Sequence, residues 1–259
     1  MTFNPGFDIN PIYNPIGFEY GSDVFGPLPE YRSLDSIRNS LLDPKCSGPD
    51  PVYAIAMDVG KKKHLPFLTK YNLLFGVVSY ASGRLGSEPV RSQGHVHKKA
   101  RDNSMSPPEI YEIWTGKAII YMQEFSGDKP GRCYAVKASP GEVVIVPPDW
   151  THATISADPG QNLTFGAWCD RNYGFEYEMV RAHKGLAWYP VFREDRSIEW
   201  RANPSYQSSE ILEKTPRIYS DLGLIEGIPI YSQFEKNPDT FLFVANPEMK
   251  RNVWDNFIP

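Results

Sequence analysis

The sequence predicts an all-β protein built on a closed or sandwich-like barrel. Roughly ten short strand candidates follow one another along the chain, separated by frequent turns. The 259 residues include 24 prolines and 20 glycines, which favour the many turns of such a fold. A hydrophobic fraction of 41% and an aromatic fraction of 14% supply a sizeable core. The length allows one large β domain with extensions, or two small domains.

Composition and charge exclude several classes of function. The net charge is -4 and the sequence pI is about 5.8, so we expect no nucleic-acid partner. No run of eighteen apolar residues suggests a membrane span, and no secretory signal is visible near Met1. The odd number and wide spacing of Cys46, Cys133 and Cys169 fit reduced thiols. We therefore expect a cytoplasmic protein.

The N-terminal part of the chain predicts an arm, a helix and two strands. Residues 1–30 are rich in aromatic and aliphatic side chains, and we expect an extended arm packed on the body or on a partner subunit. Residues 33–42 carry apolar side chains at helical spacing and predict a short helix. Residues 51–59 and 71–80 predict strands that enter the barrel.

A Gly-His-Val-His segment at residues 94–97 is the first half of a candidate site. Because the strand period is two, His95 and His97 point to the same face and can hold one ion together. Residues 109–114 then alternate, with Glu109, Tyr111 and Ile113 on one face. We expect these residues to form a β-hairpin with residues 118–122, turning at residues 115–117.

A second segment completes the candidate site. Residues 143–146 are β-branched throughout and predict a strand that Pro147 and Pro148 end. His152 follows, where the strand leaves the sheet. Three imidazoles and the carboxylate of Glu109 form a donor set that suits a divalent transition metal.

The remainder of the chain predicts further short elements. We expect strands at residues 134–138, 163–168, 176–180 and 186–192. Residues 208–212 predict a helical turn, and residues 234–237 and 247–256 predict short helices.

These motifs resemble those of the cupin superfamily. Gly-x-His-x-His, Pro-Glu-x-Tyr and Val-Pro-Pro-x-Trp-x-His are the matching patterns, and residues 70–180 are most similar to the cupin-type glucose-6-phosphate isomerases. The resemblance implies a cupin (jelly-roll) β-barrel with N- and C-terminal extensions and a few short helices. We expect a single cupin domain over residues 1–259, comprising an arm and helix (1–69), a barrel core (70–180) and a C-terminal extension (181–259).

The resemblance also implies an activity, the interconversion of glucose 6-phosphate and fructose 6-phosphate. One divalent metal ion per chain (Fe, Mn, Zn or Ni) would be held by His95, His97, Glu109 and His152. An open position on such an ion can polarise a carbonyl and stabilise an enediolate. Glu109 would act as ligand, base or both, whereas a metal-assisted hydride shift would need no base.

The sugar-phosphate contacts that the resemblance implies are Tyr53, Ser79, Ser92, Gly94, Tyr111 and Tyr173. The chain departs from the family at Arg171, where a histidine is expected two residues before the tyrosine. It also carries an insertion between His97 and Glu109 that contains Lys98, Lys99 and Arg101. We expect a homodimer, because exposed strand edges and the apolar arm need covering.

Two other functions use the same residues. A cupin Fe(II)-dependent dioxygenase employs similar ligands, and oxygen uptake would identify it. A metal-bearing sugar-binding module without turnover would bind a sugar and leave it unchanged. The fold does not distinguish these functions, so the isomerase hypothesis rests on the extended motifs.

Overall fold

The computed structural model describes residues 3–99, 104–172 and 174–259. In these ranges the chain is mostly β, which confirms the predicted fold class. The strands are β1 (Ile9–Tyr13), β2 (Ile16–Tyr20), β3 (Val24–Phe25), β4 (Glu30–Arg32), β5 (Tyr53–Met57), β6 (Gly60–Lys61), β7 (Leu73–Tyr80), β8 (Arg84–Leu85), β9 (Glu88–Pro89), β10 (Val96–His97), β11 (Glu109–Thr115), β12 (Ala118–Gln123), β13 (Cys133–Ala138), β14 (Val143–Val146), β15 (Thr151–Ser156), β16 (Leu163–Asp170), β17 (Phe175–Glu176), β18 (Trp188–Phe192), β19 (Ile198–Ala202) and β20 (Ile211–Lys214). The α-helices are α1 (Leu65–Lys70), α2 (Glu178–Ala182), α3 (Ile230–Lys236) and α4 (Arg251–Trp254).

Two sheets form the barrel walls. The large sheet has the order β14–β11–β16–β7–β5–β4, and the small sheet has the order β15–β12–β13–β20. All pairs in the large sheet are antiparallel, and in the small sheet only β20 runs parallel to its neighbour β13. Apolar side chains of both sheets, such as Phe165 and Ile120, share one inner core. This arrangement confirms the predicted jelly-roll barrel.

The large sheet is buried on both faces. Along β7, Leu74, Val78 and Tyr80 join the inner core. Their neighbours Phe75 and Val77 belong to an outer core, formed with the N-terminal arm and the C-terminal segments. Because alternate residues of a strand face opposite sides, both faces require apolar residues. The continuous apolar run Leu-Leu-Phe-Gly-Val-Val meets this requirement.

The arm is a hairpin that covers the outer face. Strands β1 and β2 pair antiparallel. Phe7 packs against Phe75, with ring centroids 5.7 Å apart, and against Tyr231 of α3, at 4.2 Å. Phe7, Ile9, Ile16 and Phe18 of the arm are therefore buried in this outer core, whereas Tyr13 is exposed.

The predicted hairpin of residues 109–122 is wrong. Strand β11 lies in the large sheet and β12 in the small sheet, so residues 116 and 117 cross from one wall to the other. Gly116 has a φ of +75°, and a Cβ there would lie 2.5 Å from the carbonyl oxygen of Asn162. Glycine permits both the left-handed conformation and this close approach. The local pattern identified both strands and the turn but not the partners of each strand.

Three further local predictions are wrong. Residues 33–42 form a short 3₁₀ turn at Arg38–Ser40, because so few residues give too little helical hydrogen bonding to sustain an α-helix. Residues 176–180 run into α2, whose Glu-Met-Val-Arg-Ala sequence consists largely of helix formers. Residues 208–212 lead into β20, because pairing with β13 satisfies the backbone there.

The division of the chain into arm, barrel core and extension stays a prediction. Strands β5 and β20, from outside residues 70–180, extend the two sheets. No helix within the described residues is long and apolar enough to cross a membrane. Cys46, Cys133 and Cys169 are buried and unpaired.

Candidate active site

Backbone pairing brings the two histidine segments together. The amide of His95 donates to the carbonyl of His152 at 3.0 Å, and the amide of His152 donates to the carbonyl of His95 at 2.9 Å. His97 lies in β10, which pairs with β17. Glu109 is the first residue of β11 on the facing sheet. The site therefore lies between the two walls of the barrel.

The four side chains converge on one point. Donor atoms of His95, His97, Glu109 and His152 all lie within 4.8 Å of one another. The Oε2 atom of Glu109 is 3.3 Å from Nε2 of His97 and 3.3 Å from Nε2 of His152. Among the described residues, Nε2 of His95 is buried without a hydrogen-bond partner. An unsatisfied buried nitrogen beside other donors suits a coordinated ion, because burying it alone is costly.

The outer ring nitrogens are held by backbone carbonyls. Nδ1 of His97 lies 3.0 Å from the carbonyl oxygen of Pro107, and Nδ1 of His152 lies 3.2 Å from that of Trp150. Since a carbonyl only accepts, each Nδ1 carries a proton. Nε2 of the neutral ring then presents a lone pair to the centre, whereas Nε2 of the protonated ring donates to Glu109. Metal-binding histidines are commonly oriented in this way. The residues present thus fit a divalent metal ion.

The Glu109 carboxylate is held by two further groups. The Tyr111 hydroxyl donates to its Oε2 at 2.6 Å, and the Cys169 thiol donates to its Oε1 at 3.2 Å. Burial by itself would raise the pKa of Glu109, but hydrogen bonds from His152 and His97 hold that pKa well below its ordinary value. Glu109 is therefore a carboxylate at neutral pH.

Burial keeps two of the imidazoles neutral. It lowers the pKa of His95 well below its ordinary value, and the neighbouring His152 and His97 lower it further. Burial also lowers the pKa of His152, although Glu109 opposes the shift. Neutral imidazole is the form that binds metals, so burial favours the binding-competent state of these two rings. His97 differs, because burial lowers its pKa but the hydrogen bond with Glu109 outweighs that effect and raises the pKa above its ordinary value.

A cavity of about 60 Å³ opens beside these residues. Its walls come from the inward faces of β5, β7, β16, β11 and β15, with the segment before His95 and the segment around β17. The described lining residues are Arg32, Tyr53, Ile55, Met57, Gly76, Val78, Tyr80, Ser92, Gln93, Gly94, His95, Glu109, Tyr111, His152, Thr154, Phe165, Ala167, Cys169, Phe175 and Tyr177. Donor side chains and apolar walls are thus combined in one pocket.

Four of the six predicted substrate contacts line this cavity, namely Tyr53, Ser92, Gly94 and Tyr111. Ser79 does not. It lies between Val78 and Tyr80 on β7, so its side chain points to the other face of the sheet, where its hydroxyl is 2.6 Å from that of Thr164. The sixth contact, Tyr173, lies outside the described residues.

Gly94 approaches the cavity with its backbone. Its φ is +91°, and a Cβ there would lie 2.9 Å from the Leu186 side chain. A larger residue would be strained and would also collide with Leu186. The glycine therefore leaves the backbone beside His95 open to the cavity.

Two cationic candidates are held by other residues. Arg171 forms two hydrogen bonds with Asp58, at 2.5 and 2.7 Å, and does not line the cavity. In the insertion after His97, the Lys99 ammonium donates to the carbonyl of Ser104 at 2.8 Å. The insertion residues Arg101, Asp102 and Asn103 lie outside the described part of the chain.

Sequence reasoning missed several lining residues. Thr154 lies two residues after the predicted site residue His152, and Tyr80 lies in the predicted strand 71–80. Because alternate residues of a strand share a face, strand periodicity could have identified both. Cys169 lies one residue beyond the predicted end of its strand. The family resemblance implied Tyr173, whereas the cavity is also lined by Tyr177. Its location depends on the β10–β17 pairing, for which no local signal exists.

Glu112 lies on the opposite face of β11, as the alternation predicts. Its carboxylate accepts from the amide of Ile230 at 2.8 Å and from Nε1 of Trp114 at 3.1 Å. It belongs to the outer core and contributes nothing to the cavity.

The profile of the glucose-6-phosphate isomerase (GPI) family matches residues 42–207, which is more than half of the chain. The chain belongs to this family. The match includes all four converging donors and most of the cavity wall, and it leaves out β4, the arm and the last 52 residues. Family membership therefore agrees with the resemblance that the sequence motifs carry.

Individual relatives match at lower coverage. The glucose-6-phosphate isomerase of Thermococcus litoralis is 26% identical over 136 residues, covering 52% of this chain and 65% of the relative. The putative glucose-6-phosphate isomerase 1 of Rhizobium meliloti is 28% identical over 115 residues, covering 44% and 49%. The chain thus spans about half to two thirds of the length of these curated relatives. Among solved structures, vicilin from Corylus avellana aligns with a TM-score of 0.36 at 11% identity, covering 50% of this chain and 33% of that one.

Proposed function

We propose that this chain interconverts glucose 6-phosphate and fructose 6-phosphate with the help of one divalent metal ion. The observation that carries the proposal is the convergence of His95, His97, Glu109 and His152, within 4.8 Å, at a cavity in a chain of this family. These four residues would hold the ion. The donor set accommodates Fe, Mn, Zn or Ni, because imidazole and carboxylate serve all of them.

A bound divalent ion would supply positive charge that polarises the sugar carbonyl and stabilises negative charge on its oxygens. Glu109 is the carboxylate beside that position and can carry a proton between C1 and C2 of the sugar. The Tyr111 hydroxyl and the Cys169 thiol fix the two carboxylate oxygens in place. A carboxylate bound to the ion is a weaker base, so a hydride shift without a base is the competing route.

The sugar would contact the polar residues of the cavity. We infer contacts from Tyr53, Ser92, the backbone of Gly94 and Tyr111, and we add Tyr177 to this set. The cavity volume of about 60 Å³ is well below the roughly 300 Å³ or more of most ligand pockets. Binding of a sugar phosphate therefore requires lining side chains to move, and the partly exposed Phe175 and Tyr177 are among those that line the cavity.

We infer that the chain acts as a cytoplasmic homodimer. The edge strand β4 carries Tyr31, which is 51% exposed, and Leu28 just before it is 90% exposed. An uncovered strand edge with apolar side chains favours pairing with a second copy. Size-exclusion chromatography with light scattering tests this point, and a monomer at micromolar concentration would contradict it.

The decisive experiment is turnover of fructose 6-phosphate, read as glucose 6-phosphate by a coupled dehydrogenase. It is run on EDTA-stripped protein and on protein refilled with Fe(II), Mn(II), Zn(II) or Ni(II). Activity should disappear with the metal and return with at least one ion. A folded sample that binds metal but is inactive with every ion would overturn the proposal. Oxygen uptake by that sample would then identify a dioxygenase.

A further inference from the structure

The cavity contains one guanidinium that comes from outside the family match. Among the described residues that line the cavity, Arg32 alone has a permanent positive charge. It ends β4, the edge strand of the large sheet, and precedes the matched residues 42–207. The usual reason for an arginine at the wall of a substrate cavity is recognition of an anion, because its planar fork matches carboxylate and phosphate oxygens.

Within the described ranges, no short ion pair holds the Arg32 guanidinium, which leaves donors for an anion. Its acidic neighbour Glu30 is 3.7 Å away and has a side chain that is 72% exposed. That distance is too long for a hydrogen bond, and water weakens an exposed pair. By contrast, Arg171 is held by two short hydrogen bonds to Asp58. Arg181 is held by Gln93 at 3.1 Å and by the ring of Tyr177.

Uncharged donors extend from Arg32 into the cavity. Arg32 pairs across the strands with Tyr53, and its guanidinium interacts with the Tyr53 hydroxyl through its charge and a hydrogen bond. The Tyr53 ring packs on that of Tyr80 at 4.8 Å. Beyond Tyr80 lies Ser92, whose Oγ accepts from the Thr154 amide at 3.2 Å. Hydroxyl donors beside one cation suit a dianion that keeps several oxygens to satisfy.

We propose that Arg32 binds the phosphate group of the substrate, with the Tyr53 hydroxyl beside it. The inference rests on the proposed function for the identity of the substrate. It adds that the strand preceding the family match completes the phosphate site. The sugar then extends from Arg32 towards the four converging donors, with its phosphate at the end of the cavity away from Glu109.

The test compares Arg32→Ala, Arg32→Lys and the control Arg84→Ala. Arg84 is also partly buried, packs on the Phe192 ring at 4.5 Å and does not line the cavity. We expect Arg32→Ala to raise KM for fructose 6-phosphate about 10- to 100-fold, as loss of a charged hydrogen-bond donor predicts. The change in kcat should stay within about threefold, because the contact is the same in substrate and transition state. Lysine should restore part of the affinity, and the control should match the wild type.

Calorimetric titration with fructose 6-phosphate and with inorganic phosphate gives a second readout that needs no turnover. Weaker binding of both compounds by Arg32→Ala, with the metal content unchanged, supports the proposal. Wild-type KM and affinity in that variant would overturn it while leaving the isomerase intact. A wild type that binds phosphate through Arg32 but does not isomerise would overturn the proposed function alone. If the wild type binds neither compound, both proposals fail.

Discussion

At the residue scale, the candidate site depends on three imidazoles that differ in their hydrogen bonds. Carbonyl acceptors orient His97 and His152, whereas the inward nitrogen of His95 has no protein partner among the described residues. The Nε2 atoms of His97 and His152 and the unpartnered nitrogen of His95 are therefore directed at the same point. This arrangement explains why single substitutions should remove the ion and should leave the barrel folded.

We expect His95→Ala and His152→Ala to lower the affinity for the metal by more than about 100-fold and to abolish turnover. Each variant removes one neutral nitrogen donor from a set of four. Mass spectrometry of bound metal per chain checks the first effect, and the coupled assay checks the second. His64→Gln, at a partly buried histidine outside the cavity, is the matched control and should retain metal and activity. Full metal content in His95→Ala would contradict the assignment.

Glu109→Gln separates the roles of ligand and base. If Glu109 moves the proton, kcat should fall about 100- to 10,000-fold because the amide cannot accept it. The metal content of the variant tells the two roles apart. If the variant keeps its metal, the fall in kcat is due to loss of the base, and if it loses the metal, the fall is due to loss of a ligand. A variant with both wild-type metal content and wild-type kcat would remove Glu109 from the mechanism.

At the element scale, the crossing between the two sheets determines which strands pair. Residues 116 and 117 connect β11 to β12 with a left-handed glycine against the Asn162 carbonyl. This connection places the inward face of β11 opposite that of β12. The site needs both walls, since Glu109 lies on one and His152 on the other.

Gly116→Ala should therefore lower the free energy of unfolding by about 2–3 kcal/mol, through the left-handed backbone and the collision with Asn162. Urea unfolding measures the change. Gly127→Ala, in a hairpin loop with open space around it, is the control and should stay within about 0.5 kcal/mol of wild type. Equal stability of the two variants would mean that the crossing relaxes without cost.

Strand β11 also carries a buried carboxyl group on its outer face. Burial raises the pKa of Glu112 from 4.5 to about 8 in the folded chain, despite its hydrogen bonds from Ile230 and Trp114. A folded pKa above the unfolded value gives stability that is fully present below pH 4.5 and is lost as the pH rises through 8. The loss is about 3–5 kcal/mol, since ionising the buried group is costly.

We expect the wild type to lose stability between pH 5.5 and pH 8.5 relative to Glu112→Gln, which has no proton to lose. The glutamine amide in the variant turns an N–H donor towards Nε1 of Trp114, which is also a donor. The variant should therefore have a lower free energy of unfolding than the wild type at pH 5.5. Urea unfolding of both proteins at both pH values gives the comparison, in which all other titrations cancel. If the free energies of unfolding of the two proteins change equally between the two pH values, Glu112 does not titrate in this range.

At the scale of the whole molecule, an aromatic outer core joins the arm, the barrel and the C-terminal extension. Trp168 of β16 packs on Tyr231, Phe234 and Phe241, with ring centroids 5.6, 4.5 and 5.3 Å apart. Phe7 of the arm contacts the same cluster through Tyr231. Unfolding of the extension would expose the back of the large sheet.

Phe241→Ala should lower the free energy of unfolding by about 3–5 kcal/mol, because it leaves a cavity in this core. The near- and far-ultraviolet circular dichroism transitions should remain coincident, as the single-domain hypothesis requires. Phe125→Ala is the control, since Phe125 is 55% exposed, and it should cost less than about 1 kcal/mol. Two separate transitions would show that the extension folds independently of the barrel.

The sequence by itself determined the fold class, most of the strands and the four converging donors. Strand period and β-branched runs are local properties, and a His-x-His pair on a strand has one geometry. Four of the sugar contacts that the family resemblance implies, Tyr53, Ser92, Gly94 and Tyr111, also line the cavity.

Only the tertiary structure decided which strands pair, and therefore which side chains meet. The 109–122 segment appears as a hairpin locally, because alternation is the same whether two strands share a sheet or face each other. Ser79 and Tyr80 differ by one residue, yet one points away from the cavity and the other lines it. Arg32 and Tyr177 reach the site through pairings of β4 and β17 with distant segments. Such pairings are set by long-range packing, which leaves no periodic signal in the sequence.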